Sequence, residues 1–226
     1  MDSQGSGMNT RIVFLEELNR LRHDVLAMAT RVEEDLGKAL SALRNNDIEL
    51  AKQVKADDAV VNAMQIKIED EAAIVIATQQ PVARDLRELV TIFKLTSSFE
   101  RMGDHAVHLA KAAIKLSKKP AFRSIEHLER MAETGQEMIR DAVSAFLSQD
   151  AEAARKTAAL DDKIDEEHKA LVEEILSLIK ERPNLTKKAI RLLNTSSYLE
   201  RLGDHATNIC EAIIYMVEGK HEELNE

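Results

Sequence analysis

The sequence predicts an all-α protein: a tandem duplication of a three-helix bundle, with six long antiparallel helices. Three observations lead there. Trp is absent, aromatic residues make up 3% and Gly accounts for only 7 of 226 positions, while Ala, Leu, Ile, Glu and Lys dominate. Strands favour aromatic and β-branched side chains, so this mixture favours helices. The three prolines, Pro81, Pro120 and Pro183, each stand between long stretches of helical pattern. Finally, the second half of the chain repeats the first.

The elements follow in order. Residues 1–8, with Asp2 to Gly7 reading DSQGSG, look like a flexible lead, and Met8 offers a second start. The first copy spans residues 9–118. Its first helix ends at Asn45-Asn46-Asp47, a polar turn with Asp47 available to cap the next helix. Its second helix ends at Pro81 and its third before Pro120. The second copy spans residues 121–220, with breaks at Ser148-Gln149-Asp150 and Pro183. Each helix is then roughly 25–35 residues long, above the globular average of about 10–14. Long helices with short connections imply antiparallel neighbours.

The repeat is explicit. Ala39-Leu-Ser-Ala-Leu43 followed by Asp47 returns 103 residues later as Ala142-Val-Ser-Ala-Phe146 followed by Asp150. The third helices match at a shift of 100: Ser97 to Ala106 reads SSFERMGDHA and Ser197 to Ala206 reads SYLERLGDHA. The period far exceeds that of solenoid repeats.

Charge and length bound the function. A net charge of −9 repels phosphate backbones, so nucleic acid is not an expected partner. No apolar run approaches bilayer length, and no basic segment followed by an apolar one marks a signal peptide. The single cysteine, Cys210, has no partner for an internal disulfide, which fits a reducing, cytoplasmic setting, and it reads as a small apolar helix residue.

On the third helix, Ile92, Leu95, Phe99, Met102, Ala106, Leu109 and Ala113 alternate spacings of three and four, the seam of a packed bundle. Leu192, Thr195, Leu199, Leu202, Ala206, Ile209 and Ile213 repeat it. At about 100° per residue, Glu100 and Asp104 lie about 140° from that seam, adjacent to each other on one face. Glu200 and Asp204 repeat the pair. Like charges four apart repel, and a cation would turn the repulsion into coordination. A second row on the second helix of each copy, Asp58 with Asn62 and Asp161 with Asp165, is placed to converge on the first. His108 continues the row of Glu100 and Asp104, with Asn208 at its counterpart. His105 and His205 point about 100° off the row and read as surface groups or as outer neighbours of the carboxylates. Gly103 and Gly203 sit inside helices at a cost of about 1 kcal/mol each, which suggests close approach by a helix or a ligand.

Gln79-Gln80-Pro81-Val-Ala-Arg-Asp-Leu-Arg87 and the duplicated Glu-Arg-x-Gly-Asp at 100–104 and 200–204 resemble the signatures of the PhoU family. The resemblance covers residues 9 to 219. It implies two three-helix bundles and a cytosolic, non-catalytic accessory protein that negatively regulates phosphate uptake and phosphate-starvation signalling. Its implied partners are the phosphate transporter ATPase and a phosphate sensor histidine kinase, which would hold it peripherally at the inner face of the membrane. It also implies multinuclear metal sites of di- or trivalent ions, iron or zinc. Carried onto this sequence, the ligand candidates are Asp58, Asn62, Glu100 and Asp104 in the first copy, and Asp161, Asp165, Glu200 and Asp204 in the second; the helical row adds His108 as a further metal candidate. The second copy reads Arg182-Pro-Asn-Leu-Thr-Lys-Lys188 where the first has the proline signature, so whatever Arg84, Asp85 and Arg87 do is done once, with a partner contact suspected there.

Other readings stay open at this point. A ferritin-type di-metal oxidase would place Glu and His three apart inside a bundle, but glycine stands three after Glu100 and Glu200. A histidine phosphotransfer module would use His108 near Lys111, a pair that the second copy lacks. The carboxylates could also be solvated faces with no metal. A homodimer is a further expectation, resting on Ile214 and Val217 as exposed apolar residues near the C-terminus.

Overall fold

The computed structural model describes residues 3–116 and 124–224. Its helices are α1 (Ser3–Asn45), α2 (Ile48–Gln79), α3 (Ala83–Leu116), α4 (Ser124–Ser148), α5 (Ala151–Ala158), α6 (Asp161–Glu181) and α7 (Thr186–Glu218), with a 3-10 turn over Pro183–Leu185. Helix α1 runs through residues 3–8, the stretch read as a lead. The boundary placed at Pro120 lies outside the described residues.

The two polar turns are built alike. Asn46 and Gln149 take positive φ values of 56° and 55°. Each is followed by an N-cap: Asp47 accepts from the Leu50 N–H, and Asp150 accepts from the N–H groups of Glu152 and Ala153. The expected fifth helix is not continuous. It breaks at Ala159 and Leu160, where the Leu160 N–H donates to the Thr157 carbonyl three residues back and the chain tightens locally. The break swings Asp161 into the start of α6.

Helices α1–α3 form one bundle and α4–α7 the other, and they meet along α1–α4 and α3–α7. Every residue of the two predicted seams is buried. One core runs through both copies: Phe99 and Met102 of α3, Phe146 of α4 and Leu199 of α7 are all sealed from solvent. Helices α3 and α7 run antiparallel, as the Thr91 hydroxyl donates to the Ala212 carbonyl at 3.2 Å and Arg87 Nε to the Met216 carbonyl at 3.3 Å. Arg87 thereby serves the carbonyl end of α7, where a cation is favoured. Asp85 pairs with Arg11 at 2.5 Å, and Arg84 donates to Gln149. All three charges of the proline corner therefore bind this chain itself.

One expectation is corrected. Ile214 is fully buried and Val217 packs partly against the core, so this pair offers no exposed face to a second copy. The reason is that α7 packs on four other helices, which leaves it little free surface. Beyond α7, Gly219 turns the chain at φ 72°, and residues 220–224 fold back as a strap. Arg155 holds it through Glu218 at 3.0 Å and Glu222 at 2.7 Å, the Leu224 N–H donates to Glu211 at 2.8 Å, and His221 stacks on Tyr215. Among the described residues no helix is long and apolar enough to cross a membrane.

Candidate functional site: two acidic clusters at equivalent places

Helices α2 and α3 pack side by side, and the two carboxylate rows face each other as the spacing predicts. Asp58, Asn62, Glu100, Asp104 and His108 are all half-buried. Burial, and then the charge of Asp104, raise the Asp58 and Glu100 carboxyls above their ordinary range. Arg101 lies 3.6 Å from Glu100 and 3.7 Å from Asp104, distances that leave this repulsion only partly offset. His108 is depressed below the usual imidazole value, by burial first and by Lys111 second. Its ring stacks on Tyr198 with centroids 4.0 Å apart, which ties it into the interface between the copies and does not suit a freely presented phosphoacceptor.

In the second copy, α5, α6 and α7 surround a cavity of about 520 Å³ whose acidic wall is Asp161, Asp162, Asp165, Glu200 and Asp204. Asp161 is its centre. The carboxylate presses against Gly203, Oδ2 accepts from the Thr207 hydroxyl at 3.2 Å, and Oδ1 is buried with no hydrogen-bond partner. Burial, followed by repulsion from Asp204 and Asp165, pushes the Asp161 carboxyl up to about 7. Burial and Asp204 likewise raise Glu200, and burial and Asp165 raise Asp204.

The clusters thus occupy matching places in two copies of one fold, and comparison with known proteins identifies that fold's family. The model of the PhoU domain matches residues 25–113 and again 128–213. The chain belongs to the PhoU family. It is 32% identical over 218 residues to the phosphate-specific transport system accessory protein PhoU homolog of Clostridium acetobutylicum, covering 96% of this chain and 100% of that one. It is 31% identical over 220 residues to PhoU of Escherichia coli, covering 97% and 91%. The crystal structure of PhoU from Pseudomonas aeruginosa superposes with a TM-score of 0.88 at 34% identity, covering 92% and 100%. The phosphate transport system regulatory protein PhoU from Streptococcus pneumoniae gives 0.86 at 33%, covering 93% and 99%.

Within this PhoU fold the clusters can be tested for fit to a cation. Their donors are almost all carboxylate oxygens, suited to hard cations. The unpartnered, buried Oδ1 of Asp161 is a donor in want of a positive partner. Among the described residues, no three His, Cys, Asp or Glu side chains are already arranged to hold one ion, so coordination requires side chains to rotate into the cavity. The second cluster fits better than the first, because it is more enclosed and one oxygen of its central acid lacks a partner.

The close approach suggested by the helical glycines is of two kinds. A Cβ on Gly103 would meet Val61 Cγ1 at 3.3 Å, whereas one on Gly203 would collide with Asp161 Oδ1. Gly203→Ala is therefore expected to lose about 1–2 kcal/mol, as overpacking outweighs the gain in helix propensity. Gly103→Ala should stay within about 0.5 kcal/mol of neutral. Urea unfolding of both variants checks the contrast, and equal losses would refute it.

Three neighbours escaped the sequence reading. Asp162 lines the second cavity, and Arg155 closes it. His168 faces Glu200, with a buried, unpartnered Nδ1. Asp161, Asp165 and His168 stand at i, i+4 and i+7 on α6, a row that helical periodicity could have extended. His105 was misread. It is buried, not a surface group, since α7 covers the side of α3 that carries it, and it stacks on His205 at 5.6 Å. Cys210 is buried on α7, and burial pushes its thiol up to about 12, consistent with an inert apolar filler.

Proposed function

We propose that the chain is a non-catalytic regulator of phosphate uptake, an adapter between a phosphate transporter ATPase and a sensor histidine kinase on the cytoplasmic side of the membrane. The supporting observation is the match of both copies, over nearly the whole chain, to proteins named as accessory to a phosphate-specific transport system. The interior is filled mainly by packed apolar side chains, and half-buried carboxylates gather in two clusters at matching places, a distribution that suits a binding protein. Capture of partners from cells grown at high and at low phosphate tests this. Recovery of the transporter ATPase or the kinase is expected. Recovery of neither, with phosphate-starvation genes unchanged on deletion, would refute it.

Iron or zinc on the clusters is part of the same proposal. A bound cation would supply positive charge. Asp161, Asp165, Glu200 and Asp204 would hold it in the second copy, and Asp58, Glu100 and Asp104, with Asn62 and His108 beside them, in the first. The residues' own contribution is mutual repulsion in a half-buried setting, which makes the ionised cluster costly without a cation. Protein purified without chelator is expected to carry at least one metal per chain by elemental analysis, and Glu100→Gln with Glu200→Gln to lower that content. Less than one metal per chain, unchanged in the double variant, would remove the metal from the proposal.

A further inference from the structure

The two copies meet along α3 and α7, where residue positions correspond at a shift of 100. On one face the groove between these helices is filled by rings. Tyr198 and His108 stack at 4.0 Å with an interplanar angle of 4°, and His105 lies 5.8 Å from Tyr198. The duplication carries Tyr198 to Ser98 and His108 to Asn208. Both rings are therefore missing from the opposite face, and a cavity of about 680 Å³ stands there. Its helical walls carry Lys94, Ser97, Ser98 and Arg101 from α3, and His205 and Asn208 from α7.

We propose that this slot binds a nucleoside monophosphate, with the base in the place that the Tyr198–His108 pair fills on the other face. The volume falls within the range of small-molecule sites, and the location, between two structural units, is a favoured one. His205, the counterpart of His105, offers a ring to the base, and His105 backs it in the same stack. Asn208 offers a donor and an acceptor to a base edge. Lys94 and Arg101 lie two turns apart on α3 with the hydroxyls of Ser97 and Ser98 between them, a wall of donors for a phosphate. Lys94 sits over the face of Tyr215 at 5.5 Å, and the contacts of Arg101 with Glu100 and Asp104 are long.

The rest of the lining is acidic, with Glu211 from α7 and Glu222 and Glu223 from the strap, but two of these three carboxylates are engaged. Glu222 is bound by Arg155 at 2.7 Å, and Glu211 accepts the Leu224 N–H. Glu223 remains in the lining as an acceptor, the chemistry that suits ribose hydroxyls. Arg101 borders both the slot and the first acidic cluster, but no group of the slot requires a metal.

Isothermal titration of the full chain with AMP, GMP and UMP tests it, in buffer containing EDTA and with adenosine and inorganic phosphate as references. At least one nucleotide is expected to saturate at one per chain, about tenfold more tightly than adenosine or phosphate. Ser98→Tyr with Asn208→His rebuilds the ring pair of the opposite face, and is expected to keep the helical circular dichroism and abolish binding. Lys94→Gln with Arg101→Gln removes the two cations of the wall, and is expected to weaken the nucleotide about tenfold and leave adenosine unchanged. No saturation by any of the three nucleotides at millimolar concentration would overturn the proposal. So would phosphate binding as tightly as the nucleotides, or nucleotide affinity unmoved by both pairs of substitutions.

Discussion

Asp161→Asn is expected to raise the stability of the chelator-treated protein at pH 8 and, at the same time, to strip the second acidic cluster of most of its capacity for metal. The folded protein holds the Asp161 carboxyl at about 7, against 3.8 for the free side chain. A group whose value is raised by folding favours the folded state while protonated. Its contribution is complete below pH 3.8, declines as pH rises, and is gone above pH 7. The full shift corresponds to about 4 kcal/mol. Part of the side chain meets solvent in the cavity, so screening reduces the expected gain to about 1–2 kcal/mol, or roughly 3–6 °C in melting temperature for a chain of this size. Asparagine can turn its amide so that its one carbonyl oxygen takes the place of the Asp161 Oδ2 that accepts from Thr207, and it sheds the charge that Asp165, Glu200 and Asp204 repel. Melting at pH 8 and pH 4 in EDTA measures the difference, which should vanish at the lower pH. A variant less stable than the parent at pH 8 would refute the account. Gain of stability with loss of binding is the pattern expected where a charge is kept for function at the expense of folding.

Acid is expected to loosen the interface between the copies, and His105→Phe to prevent much of that loss. His105 is buried, neither ring nitrogen has a hydrogen-bond partner, and burial followed by His205 and His108 depresses its value from 6.5 to about 4. The sign is opposite to that of Asp161. Unfolding lets His105 take up a proton below pH 6.5, so its contribution is present above that pH and is lost as pH falls to about 4. The shift corresponds to about 3 kcal/mol. Burial depresses His205 and His108 as well, which steepens the loss. The acidic clusters titrate in the other direction over part of this range, so the comparison is between parent and variant at each pH. Urea midpoints in EDTA at pH 7 and pH 4.5 are expected to diverge by about 2–3 kcal/mol in favour of His105→Phe at the lower pH. Parallel pH profiles would show that His105 does not carry the effect.

How far the sequence reached can be judged residue by residue. The caps at Asp47 and Asp150 were legible because helix starts are decided by a few neighbouring groups. The seams on α3 and α7 were legible because one strip of apolar residues at spacings of three and four has one sensible use. The carboxylate pairs at Glu100–Asp104 and Glu200–Asp204 were legible because like charges four apart, occurring twice, go against local energetics. What was missed depends on contacts distant in sequence. Helices α3 and α7 are buried on more than one side, and a single-seam reading assigns only one of them. That is why the pattern alone points His105 to the surface and leaves Ile214 exposed, whereas both are buried. The break at Ala159 and Leu160 carries no proline or glycine. It accompanies the burial of Asp161 against Gly203, which no local pattern reveals. The strap held by Arg155 was equally hidden, since its anchors lie 63 and 67 residues away in sequence.

The duplication has a consequence for how such a molecule is read by others. When two identical subunits form a symmetric pair, each substitution falls twice, and any face recognised on one side is offered again on the other. Joining the copies in one chain removes that bookkeeping. Asn62 stands opposite Asp165, Asn208 opposite His108, and Ser98 opposite Tyr198, each a change made once. The Pro81 corner has Arg182-Pro-Asn as its counterpart. The backbone keeps its near two-fold form while the surface does not, so the protein has a front and a back. A face that belongs to one copy alone therefore occurs a single time per chain.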